Sequence, residues 1–329
     1  MTSGPALRAD CERCFALCCV APAFLASADF AISKKAGQEC PNLLPEFRCG
    51  IHGRLRPRGF PGCAVYDCFG AGQQVAQVTF GGQDWRAAPD LAAPMFAAFA
   101  VMRQLHELLW YLTQALDLTP ARPVHAELRR ALAQTERLTQ SRPERLGQLD
   151  VAAHRGQVSI LLRRASELAR AGTRRWDAEF SGADLVGHDL RNADLNGASL
   201  RGAHLTGADL SGADLAAADV TGADLRGADL SGAALAETIF LTQAQLDAAR
   251  GDPGTTIPGP LRRPSHWTGR THGRRLAGRE GSLAPARELR SYSLGMSGEA
   301  WLAKRGDDLG AADQLSLVEF FDELAGSHA

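Results

Sequence analysis

Between Phe180 and Phe240 one large apolar residue returns at every fifth position: Phe180, Leu185, Leu190, Leu195, Leu200, Leu205, Leu210, Leu215, Val220, Leu225, Leu230, Leu235 and Phe240. Two places before each stands a small residue, Ala everywhere except at His188 and Thr238. A period of five fits neither the helical nor the strand template. Self-similarity at a fixed period predicts a solenoid, whose units bury their apolar faces only by stacking on one another. If the chain turns a corner every five residues, four units close one square coil. The large residue and the Ala before it then point into a narrow bore. In most units Gly stands just before the Ala, as at Gly182, Gly207 and Gly232, which suits a turn that needs positive φ. Asp, Ser, Thr and Arg occupy the outward places, with Asp before the central Leu placed to satisfy local backbone groups. At about 4.8 Å per coil the tower is only roughly 15 Å tall. His188 and Thr238 predict a loosely formed first coil and last unit.

Elsewhere the period is helical. Met95, Phe99, Met102, Leu105, Leu109, Leu112 and Leu116 make one apolar stripe over residues 90–117,. His106 and Glu107 flank the stripe and read as packed or solvated residues. Pro120 and Pro123 end it. A second helix over 124–138 carries Val124, Leu128, Ala131 and Leu138, and a third carries Leu146, Leu149, Ala153, Ile160, Leu161, Ala165 and Leu168. Ser141 and Glu144 have the spacing of a capping box. The short connections predict antiparallel neighbours in a small bundle, with Arg129, Arg130, Arg163 and Arg164 solvated. Thr242 is placed to cap a short helix running to Arg250, which would lay Leu241, Ala244 and Leu246 over the open end of the solenoid. Residues 69–86 contain a Gly70-Ala71-Gly72 turn, then a short strand or linker through Val75, Val78 and Phe80.

The expected fold class is therefore mixed, and the chain divides into five parts. Residues 1–86 form a small cysteine-rich, metal-binding module. Residues 87–173 form the helical bundle and 174–240 a short quadrilateral β-helix. Residues 241–267 form the capping segment. Residues 268–329, rich in Gly, Arg and Ser, form a mostly disordered tail with an amphipathic helix at 312–325.

Cysteine placement adds chemistry to the first part. All eight cysteines lie within the first 68 residues: Cys11, Cys14, Cys18, Cys19, Cys40, Cys49, Cys63 and Cys68. In a reducing compartment such clustering favours metal over disulfides. Thiolates suit Zn²⁺, and equally iron or an iron–sulfur cluster. Eight could hold two four-coordinate ions, or one cluster with spares, and His52 is a substitute ligand. A structural metal is expected rather than a catalytic one, because no carboxylate–His pair with metalloenzyme spacing occurs. A thiol-rich or disulfide-knotted cap is the plainer reading.

The run FSGADLVGHDLRNADLNGASLRGAHLTGADLSGADL and its continuation resembles the pentapeptide-repeat family, whose units read A(D/N)LXX. The resemblance implies a right-handed quadrilateral β-helix. The segment CERCFALCC…CPNLLPEFRCGIHGRLRPRGFPGCAVYDC is similar to bacterial cysteine-cluster proteins described as zinc- or iron-chelating, in which a CxxC is followed by paired cysteines. Here three residues separate Cys14 from the pair, a departure from that pattern. The ending TQAQL…ARGD…LRRPSHW, taken with the rest, resembles an actinobacterial group of pentapeptide-repeat proteins.

Charge narrows the function classes. Lys and Arg total 36 against 37 Asp and Glu, so nothing marks a dedicated nucleic-acid or membrane binder. The first residues, MTSGPALRAD, lack the basic and apolar regions of a secretory signal, and a cytoplasmic location is expected. The outward face of the repeats is acidic, and some pentapeptide-repeat proteins mimic DNA to bind DNA gyrase. A three-coil tower is too short for that unless it dimerises end to end through the solenoid. No nucleophile, base and oxyanion set converges anywhere. The expected function is a non-enzymatic cytoplasmic scaffold that binds a protein partner and is stabilised by a cysteine-bound metal. A metal-carrying or redox-sensing cysteine protein is the alternative, and a gyrase-directed DNA mimic stands third.

Overall fold

The structure is a computed structural model that describes residues 6–267. The tail expected over 268–329, with its helix at 312–325, lies outside the described residues. In chain order the helices used below are α1 (Leu17–Val20), α2 (Pro61–Val65), α3 (Ala92–Asp117), α4 (His125–Thr139), α5 (Pro143–Leu146), α6 (Val151–Arg170) and α7 (Gln243–Ala248). Among the described residues no helix is long and apolar enough to cross a membrane.

The repeats coil as their period requires. Parallel bridges join Glu179 to Ser199, Asp184 to His204, Asp189 to Asp209 and onward to Asp219 with Ile239, always twenty residues apart. Four five-residue sides therefore close each coil. Each side pairs through a single bridge residue, so no long strand forms. The central Leu residues and the Ala residues beside them make one buried core from Leu185 to Leu235. Asp184, Asp189, Asp194, Asp209, Asp214, Asp219, Asp224 and Asp229 each accept a hydrogen bond from the backbone N–H two residues on. The acidic residue before each Leu thus closes its own turn. The turn before the small position is left-handed in nearly every unit, and Asn192 and Ala217 adopt it at φ 55° where the other turns have Gly.

The two ends of the coil differ. In the first coil Phe180 and Ala183 are only partly buried, and Val186 and His188 are exposed, because His188 fills a place where the bore takes Ala. At the other end Thr238 is buried and its hydroxyl donates to the Leu215 carbonyl at 2.9 Å. The last unit is therefore tight rather than loose. Phe240 is not a bore residue: at φ 62° it turns out of the solenoid and meets Tyr111 edge-on, ring centroids 5.8 Å apart. Leu241 takes the place in the solenoid core.

The cap forms as the sequence predicts. Thr242 and Gln245 make a reciprocal capping box at the start of α7. Gln245 also donates to the carbonyls of Val220 and Ala223 at 2.8 and 2.9 Å, and Thr255 donates to that of Leu230 at 2.8 Å. These side chains satisfy carbonyls that the last coil leaves without a further coil to pair with. Leu246, Leu261 and Trp267 close the bore.

Helix α3 is the spine of the remaining parts. Its N-terminal half, with Met95, Phe99 and Met102, shares a core with Leu17, Val20, Val75 and Trp85. Its C-terminal half, with Leu108 and Leu112, shares another with Leu128, Leu162, Ile239 and Phe240. Glu107 is buried and ties α3 to α6 through Arg155 at 3.0 Å. Ser141 does not cap: α5 starts at Pro143 with no side-chain cap, and Asp150 caps α6 by accepting from the Ala153 N–H at 2.8 Å. Residues 74–79, where a short strand was one expectation, form a π-helical turn with Val75 and Ala76 buried against α3.

Candidate metal centre

The cysteine-rich region has little regular structure. Helix α1 follows Phe15 and Ala16, both left-handed at φ 48° and 53°. A tight hairpin pairs Leu43 with Cys49. Cys63 rides on α2, and Cys68 precedes the Gly70–Gly72 turn. Lys34 knits these loops together. It is 3% exposed, and its ammonium donates to the carbonyls of Val20, Lys35 and Gln38 at 2.9, 3.1 and 2.9 Å. Burial lowers its pKa from the ordinary lysine value, while the nearby Cys40, Cys19 and Cys63 act in the opposite sense. The region also touches the solenoid, through Asp29 with Arg226 at 3.0 Å and Arg56 with the Asp247 carbonyl.

Within it lies a cavity of about 480 Å³. Cys11, Cys14, Cys18, Cys19, Cys49, Cys63 and Cys68 line it, together with His52, Arg48 and a set of aromatic rings. Cys40 stands outside the lining, its Sγ 3.8 Å from the side-chain amide of Asn42. All eight cysteines are free of disulfides. Cys18 and Cys19 have their sulfurs 4.0 Å apart, and Cys14 Sγ lies 3.7 Å from the Cys11 carbonyl oxygen. The Cys14 thiol lowers the pKa of Cys11 and its own rises, with burial adding to the rise. Burial pushes Cys63 up to about 12.

Among the described residues no three His, Cys, Asp or Glu side chains stand arranged to hold an ion. The donor set nevertheless suits one. Thiols are the ligands of structural zinc, and changing the χ1 rotamer of a cysteine moves its sulfur by about 3 Å. The cavity leaves room for that movement. His52, the substitute ligand expected from the sequence, lines the same cavity.

His106 and Glu107, beside the α3 stripe, are not part of this site. His106 is fully buried, with Nδ1 2.8 Å from the Phe69 carbonyl, and burial lowers its pKa below the ordinary histidine value. Lys34 was missed by sequence reasoning. A Lys beside Ser33 in a loop carries no signal of burial, and only the three carbonyls gathered around it reveal its role.

The comparisons with known proteins bear first on the repeats. The family model for pentapeptide repeats matches residues 177–212 and 208–240, with eight copies. A Bacillus subtilis (strain 168) protein, described as uncharacterized protein YybG, is 56% identical over 264 residues, which is 79% of this chain and 95% of that protein. The chain belongs to the pentapeptide-repeat family. Among solved structures, a pentapeptide repeat protein from Nostoc Pcc 7120 is 33% identical over 26% of this chain and 77% of its own, with a TM-score of 0.18. One from the Arabidopsis thaliana thylakoid lumen is 34% identical over 26% of this chain and 59% of its own, also at 0.18. The relative that spans most of the chain is thus a Bacillus protein, outside the actinobacterial group that the sequence resembles. The outward acidic face of this pentapeptide-repeat protein is largely paired. Arg174 pairs with Asp194 and Asp214, Arg191 with Asp189, Arg201 with Asp219 and Arg226 with Asp224. Much of the acidic charge is spent on turns and ion pairs within the tower.

Proposed function

We propose that this pentapeptide-repeat protein is a non-enzymatic scaffold for a protein partner, with the thiols of its N-terminal region bound to zinc that holds that region in shape. The observation that carries the metal part is the convergence of seven disulfide-free cysteines on one cavity. Zinc bound there would cross-link segments that otherwise share few backbone hydrogen bonds, and its binding energy would become folding energy. The scaffold part rests on the capped solenoid, whose core is continuous and whose end is sealed by α7 and Trp267. A DNA-like surface is disfavoured, because duplex carries one charge per ~1.7 Å and the Asp residues here largely face Arg or their own backbone.

The test is elemental analysis of the full chain purified without added metal, with a protease map before and after chelation. Bound zinc, and cleavage within residues 6–86 only after chelation, supports the reading. A metal-free protein with an unchanged map overturns it. A redox role is the second reading, favoured by the polarised Cys11–Cys14 pair, in which one thiol is made more acidic by the other,. It predicts that mild oxidation lowers the free-thiol count reversibly in metal-replete protein, and a count that stays constant removes it.

A further inference from the structure

The packing divides the cysteines into two groups. In the first, Cys14 lies against the Gly70–Gly72 turn: a Cβ on Gly72 would stand 2.8 Å from that of Cys14. Cys68 opens that turn, its carbonyl accepting from the Ala71 N–H at 2.9 Å, so Cys14 and Cys68 sit at the same turn. Cys11 joins Cys14 through the 3.7 Å contact. Cys18, on α1, and Cys68 both pack against the apolar cluster built on Leu17 and Ala71.

In the second group the Cys40 N–H donates to the Cys19 carbonyl at 3.2 Å. Cys40 and Cys49 are brought together by the hairpin, in which Leu43 donates to the Cys40 carbonyl at 2.9 Å and bridges Cys49. Cys49 and Cys63 pack in a different apolar cluster, built on Phe24, Leu55 and Phe60. Cys18 and Cys19, with their sulfurs 4.0 Å apart, stand where the two groups meet. They belong to opposite groups.

Resting on the reading that these thiols hold metal, we infer that the region holds two divalent ions, each on four thiolates. The first set is Cys11, Cys14, Cys18 and Cys68. The second is Cys19, Cys40, Cys49 and Cys63. Charge supports the division. A divalent ion on four thiolates carries a net charge of −2, which is costly to bury without a counter-charge. Lys34 is the buried cation beside the second set, acting on Cys19, Cys40 and Cys63. Arg48 lines the cavity together with Cys11 of the first.

The experiment counts zinc in the full-length chain purified from zinc-supplemented cells, and in Cys68→Ser and Cys63→Ser. Two ions per chain in the parent, and one in each variant, is the expected result. One ion in the parent, or both ions lost from either variant, overturns the two-centre assignment while leaving metal binding intact. No ion in the parent overturns the metal reading itself. Because a variant can lose metal by failing to fold, the reduced, metal-free parent is also titrated with Co²⁺. Thiolate-to-cobalt absorption rising to a plateau at two equivalents supports the assignment, and a plateau at one overturns it. Acid-labile sulfide in the purified protein also overturns it, by placing the thiols on an iron–sulfur cluster.

Discussion

The solenoid and the cysteine region sit against each other in one molecule and are held together in opposite ways. In the solenoid every five residues repeat the same solution: a Leu and an Ala in the bore, an Asp closing the turn, a bridge to the coil below. Stability is spread over equivalent units, and each unit depends on its neighbours. The cysteine region has no repeated solution. Its helices are short, one of its apolar clusters is shared with α3 and the other holds only Phe24, Leu55 and Phe60 at its centre, and its loops meet at single points such as Lys34 and the thiol-lined cavity. On the zinc reading, the cross-link that holds such a region in one shape is the metal. The contrast is between distributed and concentrated stability, and it can be tested by removing one part at a time.

The largest effect is expected from metal removal. Structural zinc contributes about 10–16 kcal/mol of apparent folding energy in small thiolate domains. Chelation under reducing conditions should therefore open residues 6–86 to protease while 177–240 stay resistant. Equal loss of protection in both regions would show that their stabilities are not separable.

Next comes Phe240→Ala. Phe240 is fully buried in the bundle core against Tyr111, and removing such a ring costs about 3–5 kcal/mol. The urea midpoint should fall accordingly. If stability is distributed within the coils, the parallel bridges should survive, so a change in the far-UV circular dichroism of the native baseline would count against that view.

A smaller loss, about 1 kcal/mol, is expected for Thr242→Ala, which removes the hydroxyl that accepts from the Gln245 N–H at the start of α7,. The measurement is the same midpoint, with Thr242→Ser as the control that keeps the hydroxyl. The smallest effect concerns His106. Burial lowers its folded-state pKa below the ordinary 6.5, so the unfolded chain binds the proton first as pH falls. Its contribution is complete above pH 6.5 and is lost as pH drops from there toward the folded value. The urea midpoint of the metal-replete protein should fall between pH 7.5 and 5.5, and His106→Gln should flatten that slope. An unchanged slope would remove His106 as the cause.

Much of this was legible beforehand, for local reasons. The five-residue period predicts a solenoid because its units bury their apolar faces only by stacking, and the twenty-residue bridges make each coil four-sided. The α3 stripe and the Thr242 cap are read from spacing alone. Other features escaped because they depend on distant partners. Phe240 keeps the repeat spacing, yet its side chain is turned outward by a positive φ and by the hole that Tyr111 and the bundle offer. Ser141 has the right spacing for a cap, but the helix waits for Asp150. Val75 and Val78 lie in a π-turn whose buried residues face α3.

By itself, then, the sequence determined the coil, its length, its cap and the chemistry available at eight thiols. These follow from periodicity and from residue type, which are properties of short stretches. Only the tertiary structure decided where Phe240 points, that Lys34 is buried among carbonyls, and which cysteines are neighbours. Cysteines spread over residues 11–68 on short helices and loops have no period to order them. Their grouping is set by what packs against them, the Gly70–Gly72 turn on one side and the Phe24–Leu55–Phe60 cluster on the other.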